Sequence, residues 1–155
     1  MIVPLSHPVL LDYIAKRGIC IRIAQRFCKE VHYTFRGRRY YAIAFTNEGN
    51  GMEARNVFCK RCIGKKSISV IHTESSSQQQ CCVFEGFFDL LSFLTMQSEM
   101  PDNDVSIKGT FDYFVLNGVG PSCRQANPCL SNPVLSVAPG PLSVCTGRLS
   151  AHVCG

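Results

Sequence analysis

The chain has 155 residues, 46% apolar and 17% charged, enough for one compact domain or two small lobes with a shared core, and too apolar for a disordered chain. No uncharged apolar run reaches the roughly 18 to 20 residues that span a bilayer, and the apolar start from Met1 to Leu11 has no basic leader and carries His7 and Pro8 before Asp12, so the expected class is a soluble, cytoplasmic protein without a membrane partner. Sixteen Lys and Arg against 11 Asp and Glu give a net charge of +5, a mild excess that names no partner by itself.

In chain order, Leu10 to Lys16 and Ile21 to Lys29 read as two short helices, with Gly18 as the stop between them. Ile23, Phe27 and Val31 recur at helical spacing, and then the period changes. Val31 to Phe35, Arg39 to Thr46 and Met52 to Phe58 are rich in β-branched and aromatic residues, with turn signals at Arg36-Gly37 and Asn47 to Gly51, which predicts an antiparallel meander. Ser67 to His72 reads as a further short strand, followed by a polar joint over residues 75–80. Cys81 to Phe84 is a continuous apolar run expected to be a strand buried on both faces. Phe87 to Met96 resumes a helical pattern, Pro101 to Asn103 breaks it, and Tyr113 to Leu116 gives a second buried strand. From Cys81 to Asn117 this strand, helix and strand span 37 residues, the size of one parallel βαβ unit. The last 35 residues, 121–155, hold five prolines, no acid and no aromatic, and read as an irregular or disordered tail.

Charge follows the same division. Between Lys16 and Lys66, 13 basic residues face only Glu30, Glu48 and Glu53, so the first half is a basic lobe. From Gln78 to Asp112 six acids face the single Lys108. Carboxylates beside a basic surface suit metal and phosphate chemistry, although a solvated face on each lobe explains the charges equally well.

The stretch Cys82-Val83-Phe84-Glu85-Gly86-Phe87-Phe88-Asp89 concentrates that chemistry. Glu85 falls at the carboxyl end of a buried strand, where ligands gather in open α/β sheets. Gly86 permits a sharp turn into the helix, and Asp89 follows Glu85 by one helical turn, so that both carboxylates can face one crevice. Glu85 suits a general acid or base and Asp89 a Mg²⁺ ligand. The structural alternative gives Glu85 the amides at the helix start and makes Asp89 a surface acid favoured by the helix dipole.

An apolar strand, Glu-Gly-x-x-Asp and an apolar helix resemble the first motif of the Toprim domain shared by DnaG-type primases, topoisomerases and related nucleases. Tyr13-Ile14-Ala15-Lys16-Arg17-Gly18-Ile19, Ile23-Ala24-Gln25-Arg26-Phe27 and Gly37-Arg38-Arg39-Tyr40-Tyr41-Ala42-Ile43-Ala44-Phe45 resemble the basic lobe that precedes Toprim in primases. Residues 10–117 are similar to Toprim-containing, primase-like proteins of Bacteroides-type mobile elements. The resemblance implies an α+β fold: a small helical and antiparallel basic lobe over residues 1–74, the joint, a partial Toprim domain over 81–120, and the tail. It further implies Mg²⁺-dependent nucleotidyl transfer on nucleic acid, with Glu85 as the catalytic glutamate, Gly86 as the turn glycine and Asp89 as the acid that follows. Arg55, Lys60, Arg61, Lys65 and Lys66 resemble the surface that guides single-stranded DNA or nucleotide phosphates. A replicative helicase or mobilisation machinery is the implied protein partner. A non-catalytic nucleic-acid-binding remnant and a non-functional truncated product are the rival readings.

Two parts of the family pattern are absent, the second Toprim motif and the amino-terminal zinc module expected of a full primase. Toprim catalysis uses an Asp-x-Asp after the second strand, whereas Asp102-Asn103-Asp104 precedes it and no acid follows Asp112. The match stops at Gly118-Val119-Gly120, where the Cys-, Pro- and Ser-rich composition begins, as in a truncated or frameshifted product. Ten cysteines contain one C-x-x-C, Cys59 to Cys62, without a second pair at zinc-ribbon spacing, so zinc is not expected. His7, His32, His72 and His152 share no ligand spacing.

Overall fold

Helix gives way to sheet at Cys28, before the change of hydrophobic period read at Val31, and Val31 already lies in a strand. The computed structural model describes residues 1–72, 81–99 and 111–118. The joint at 75–80, Asp102-Asn103-Asp104 and the tail at 121–155 lie outside the described residues. The fold is mixed α+β, with three helices, a five-stranded antiparallel sheet and a three-stranded sheet.

The chain opens with strand β1 (Ile2–Pro4) and helix α1 (Pro8–Lys16). Pro8 at the first helical position and His7 as N-cap start α1 two residues before the first apolar repeat, with His7 Nδ1 accepting from Val9 N at 3.3 Å. Gly18, at φ +68°, ends the turn after α1 as expected. Helix α2 (Ile21–Phe27) stops two residues short of its predicted end because Lys29 is already paired with Ala44 in the sheet.

Strands β2 (Lys29–Phe35), β3 (Arg38–Thr46) and β4 (Met52–Arg55) form the predicted meander, which β5 (Lys60–Ile63) extends beyond the expectation, with β1 added antiparallel to β2. The strand predicted over 52–58 divides at Asn56. Its Oδ1 accepts from Phe58 N and Cys59 N, both at 2.9 Å, and bends the chain so that Lys60–Ile63 returns as an edge strand.

The second sheet orders β6 (Ser69–Ile71), β8 (Asp112–Val115) and β7 (Cys81–Phe84), and helix α3 (Phe87–Glu99) connects β7 to β8. β7 and β8 run parallel, while β6 is antiparallel to β8. The change of sheet therefore falls between Ile63 and Ser69.

One apolar core joins the two sheets. It contains Leu10 and Ile14 of α1, Ala24 of α2, Ile43 and Phe45 of β3, Cys82 and Phe84 of β7, the apolar side of α3, and Val115 of β8. Phe45 of the first sheet stacks on Phe87 of α3, with ring centroids 5.3 Å apart and planes 6° from parallel. A polar tie reinforces this contact: Cys20 N donates to Thr95 Oγ1, which in turn donates to Leu91 O. Fully burying a large apolar side chain stabilises by roughly 1.5 to 3 kcal/mol, so contacts of this kind bind the sequence halves into one packed body.

Among the described residues Glu30 is, with Glu53, one of two buried carboxylates of that body. Its Oε2 accepts from Ser6 N at 3.2 Å and His7 N at 2.8 Å, and its Oε1 lies 2.6 Å from His32 Nε2. Burial pushes this carboxyl up, but the His7 and Ser6 amides and the His32 ring outweigh it and hold it below the ordinary 4.5. A lowered folded value gives stability that is present above the ordinary value and lost as pH falls through the folded one. Glu30→Gln is thus expected to flatten the loss of melting temperature between about pH 5 and pH 3. Parallel acid limbs for the variant and the parent would exclude Glu30 as the responsible group.

Candidate site at the carboxyl end of the parallel strands

All four residues of β7 are buried, and Glu85 is the first exposed residue after them. Leu116 N donates to Phe84 O at 2.8 Å, which brings the end of β8 level with that of β7. Glu85, Asn117 and Gly118 consequently share one end of the sheet. Gly86 is the residue before α3, and its N–H donates to Asp89 Oδ2 at 3.0 Å. That contact is the return half of a capping box. A β-carbon on Gly86 would approach the same oxygen to 3.2 Å, so this glycine serves close approach rather than a left-handed backbone. Capping therefore falls to Asp89 and not, as in the structural alternative, to Glu85. Glu85 makes no hydrogen bond or ion pair among the described residues.

Positive charge lies next to this turn. Phe88, in the first turn of α3, is buried between two guanidinium groups, Arg17 at 4.9 Å and Arg55 at 5.1 Å from its ring centroid. Such cation–π contacts hold both arginines near the start of α3. Arg55 is one of the predicted nucleic-acid contacts. Arg17 is not among the predicted contacts, although its spacing of four from Tyr13, whose hydroxyl it approaches at 3.4 Å, marks it as facing the same way.

The remaining predicted contacts divide. Lys60 lies opposite Arg55 across the β4–β5 pair and shares its face, whereas Arg61, opposite Ala54, projects to the other side of the sheet. The Lys65 carbonyl accepts from Asn47 Nδ2 at 3.0 Å, so this residue is fixed by its backbone. Lys66 Nζ lies 3.5 Å from where a β-carbon on Gly118 would stand, beside the end of β8. The structure therefore brings Glu85, Gly86, Asp89 and Arg55 to one turn and Lys66 to the same sheet end, and it places Arg61 elsewhere.

Asn117 is a further polar group at this end. At φ +53° it is in the left-handed region, and it is 3% exposed. Its Nδ2 donates to Ser67 O at 3.0 Å and Ser69 Oγ at 2.9 Å, and its Oδ1 has no partner among the described residues. An Asn-Gly pair after a buried strand was the available sequence signal.

Cys59 and Cys62 do not converge. Cys59 Sγ meets Tyr33 Oη at 3.6 Å on one side of the first sheet, while Cys62 lies opposite Glu53 on the other. Burial and the neighbouring Glu53 carboxylate push the Cys62 thiol up, away from the thiolate that a metal takes. Burial pushes the Cys28 thiol up to about 12, which fits a core residue. Among the described residues no three His, Cys, Asp or Glu side chains gather as a metal site. No helix among them is long and apolar enough to cross a membrane.

An exposed carboxylate at a strand end can exchange a proton, and the guanidinium groups against the Phe88 ring can attract phosphate. Neither the curated proteins nor the solved structures contain a match to this chain. Residues 1–64 match a family described as a domain of unknown function, DUF8464, which covers β1 to β5 and both amino-terminal helices.

Proposed function

We propose that the chain is a primase-like Toprim protein that acts on single-stranded DNA or nucleotides by Mg²⁺-dependent nucleotidyl transfer, with Glu85 as the acid/base group. The observation that carries this reading is the position of Glu85, exposed at the carboxyl end of a buried strand that runs parallel to its neighbour, with Gly86 and a helix immediately after it. Ligands of α/β sheets collect at such ends. In this role Glu85 accepts the proton of the attacking hydroxyl, and Arg17 and Arg55 draw the phosphates to the start of α3. Glu85 and Asp89 are the residues that would hold Mg²⁺, an ion that takes one or two carboxylates and keeps several waters. The ion, when bound, neutralises phosphate charge and orients the attacking oxygen. A replicative helicase or mobilisation machinery fits this role as a partner.

Primer synthesis on a single-stranded template is the test. Activity should require Mg²⁺ and fall about 10²- to 10⁴-fold in Glu85→Gln. Because Glu85 is exposed and unpaired among the described residues, the variant should melt within about 0.5 kcal/mol of the parent. No synthesis above background by the parent chain overturns the enzymatic reading.

A second reading, non-catalytic nucleic-acid binding, is favoured by the capture of Asp89 Oδ2 by the Gly86 amide. It requires salt-sensitive affinity that weakens when Lys60, Arg61, Lys65 and Lys66 become Ala, without synthesis.

A further inference from the structure

The five-stranded sheet has a second face, turned away from the Glu85 site. Pairing of Tyr33 with Tyr40, Ala44 with Ala54, and Ala54 with Arg61 places these residues on one side, opposite to Ile43, Phe45 and Arg55. The apolar cluster on this side is built from residues of β2 to β5 alone. Its floor is flat, because Ala42, Ala44 and Ala54 carry only methyl groups.

Rings and guanidinium groups alternate above that floor. Tyr33 and Tyr40 stack with centroids 5.6 Å apart and planes 19° from parallel. Arg61 lies 5.4 Å from the Tyr33 centroid and 4.3 Å from that of Phe35, and Arg36 lies 5.5 Å from that of Phe35. Phe35 is 42% exposed. Lys29 and Arg38 are exposed on the same side, and no strand residue of this face is acidic.

We propose that this face binds single-stranded nucleic acid, with bases stacking on Tyr33, Phe35 and Tyr40 and phosphates meeting Arg36, Arg38 and Arg61. Charge selects a polyanion, since the strand residues of this face include cations and no carboxylate. The rings select exposed bases, because every base offers a π-face and stacking is sequence-tolerant. A duplex satisfies the charge but hides its bases, an acidic peptide offers no flat rings to the tyrosines, and an apolar helix would leave the guanidinium groups unpaired. The proposal goes beyond the Glu85 chemistry and requires neither Mg²⁺ nor catalysis.

The test uses the full chain, a fluorescein-labelled oligothymidylate and fluorescence anisotropy across a salt series in EDTA. Tyr33→Ala and Tyr40→Ala are each expected to weaken binding about 5- to 150-fold, and Tyr40→Phe to retain it, because the ring is what stacks. Arg61→Ala should reduce the salt slope by about one unit. The chain has no Trp and five Tyr, so oligonucleotide stacking should also quench tyrosine emission directly. Failure of primer synthesis would leave this result standing, since the measurement excludes Mg²⁺. Three outcomes overturn the proposal: alanine variants that fold and bind like the parent, a duplex that binds as tightly as the single strand, or a dimer in sedimentation that Tyr40→Ala dissolves.

Discussion

Phe93→Ala is expected to lower folding stability by about 3 to 5 kcal/mol. Phe93 is 1% exposed in α3, with its ring 5.3 Å from that of Phe84 on β7 and 6.3 Å from that of Tyr113 on β8. It is the wedge by which the helix grips both parallel strands. Truncation would remove apolar area and leave a cavity walled by two strands and a helix, none of which can close on it without losing its other contacts. Small domains have about 5 to 15 kcal/mol in all, so the variant should unfold at a much lower urea concentration. Phe35→Ala, at a ring that is 42% exposed, is the contrast and should shift the midpoint little. A shift of under about 1 kcal/mol for Phe93→Ala would show that α3 does not pack on these strands.

Gly51→Ala is expected to cost about 2 to 4 kcal/mol by combining overpacking with the loss of hydrogen bonds. A β-carbon at this position would overlap Lys65 O and stand 2.9 Å from Lys65 N, which are backbone atoms that cannot swing aside. The contact is held by Asn47, whose Oδ1 accepts from Gly49 N at 3.0 Å and Gly51 N at 2.9 Å while its Nδ2 reaches Lys65 O. Gly64, at φ +80°, completes the approach, since its own β-carbon would lie 3.2 Å from Gly51 Cα. Adding one methyl group must separate the β3–β4 turn from the segment after β5, and with it move Lys65 and Lys66. Urea denaturation should show the loss, and limited proteolysis should cut the parted loops first. A variant as stable as the parent would mean that the two loops do not meet.

Several features were open to reading from residue order because they are local. The helix stop at Gly18, the strand at Cys81 to Phe84 and the turn at Asn47 to Gly51 each depend on backbone preference or side-chain pattern within a few residues. β1 escaped notice because three residues are too few to show a period. β5 escaped because Lys60 and Arg61 read as a charge cluster, although charged residues are common on edge strands. At the candidate site, the strand, the turn and the two carboxylates were legible. The structural alternative gives the helix-start amides to Glu85, whereas the Gly86 amide goes to Asp89, which only distance could decide, and Arg17 required the tertiary approach of α1 to Phe88.

Sequence by itself determined the three helices, the longer strands and the place of Glu85 after its strand, because periodicity and turn chemistry act between near neighbours. The tertiary structure alone decided that Phe45 and Phe87 share one core, that Lys60 and Arg61 lie on opposite faces, and that Tyr33, Phe35 and Arg61 form a platform. Those relations depend on strand register and on contacts between residues far apart in the chain. A shift of one residue in register would reverse every face.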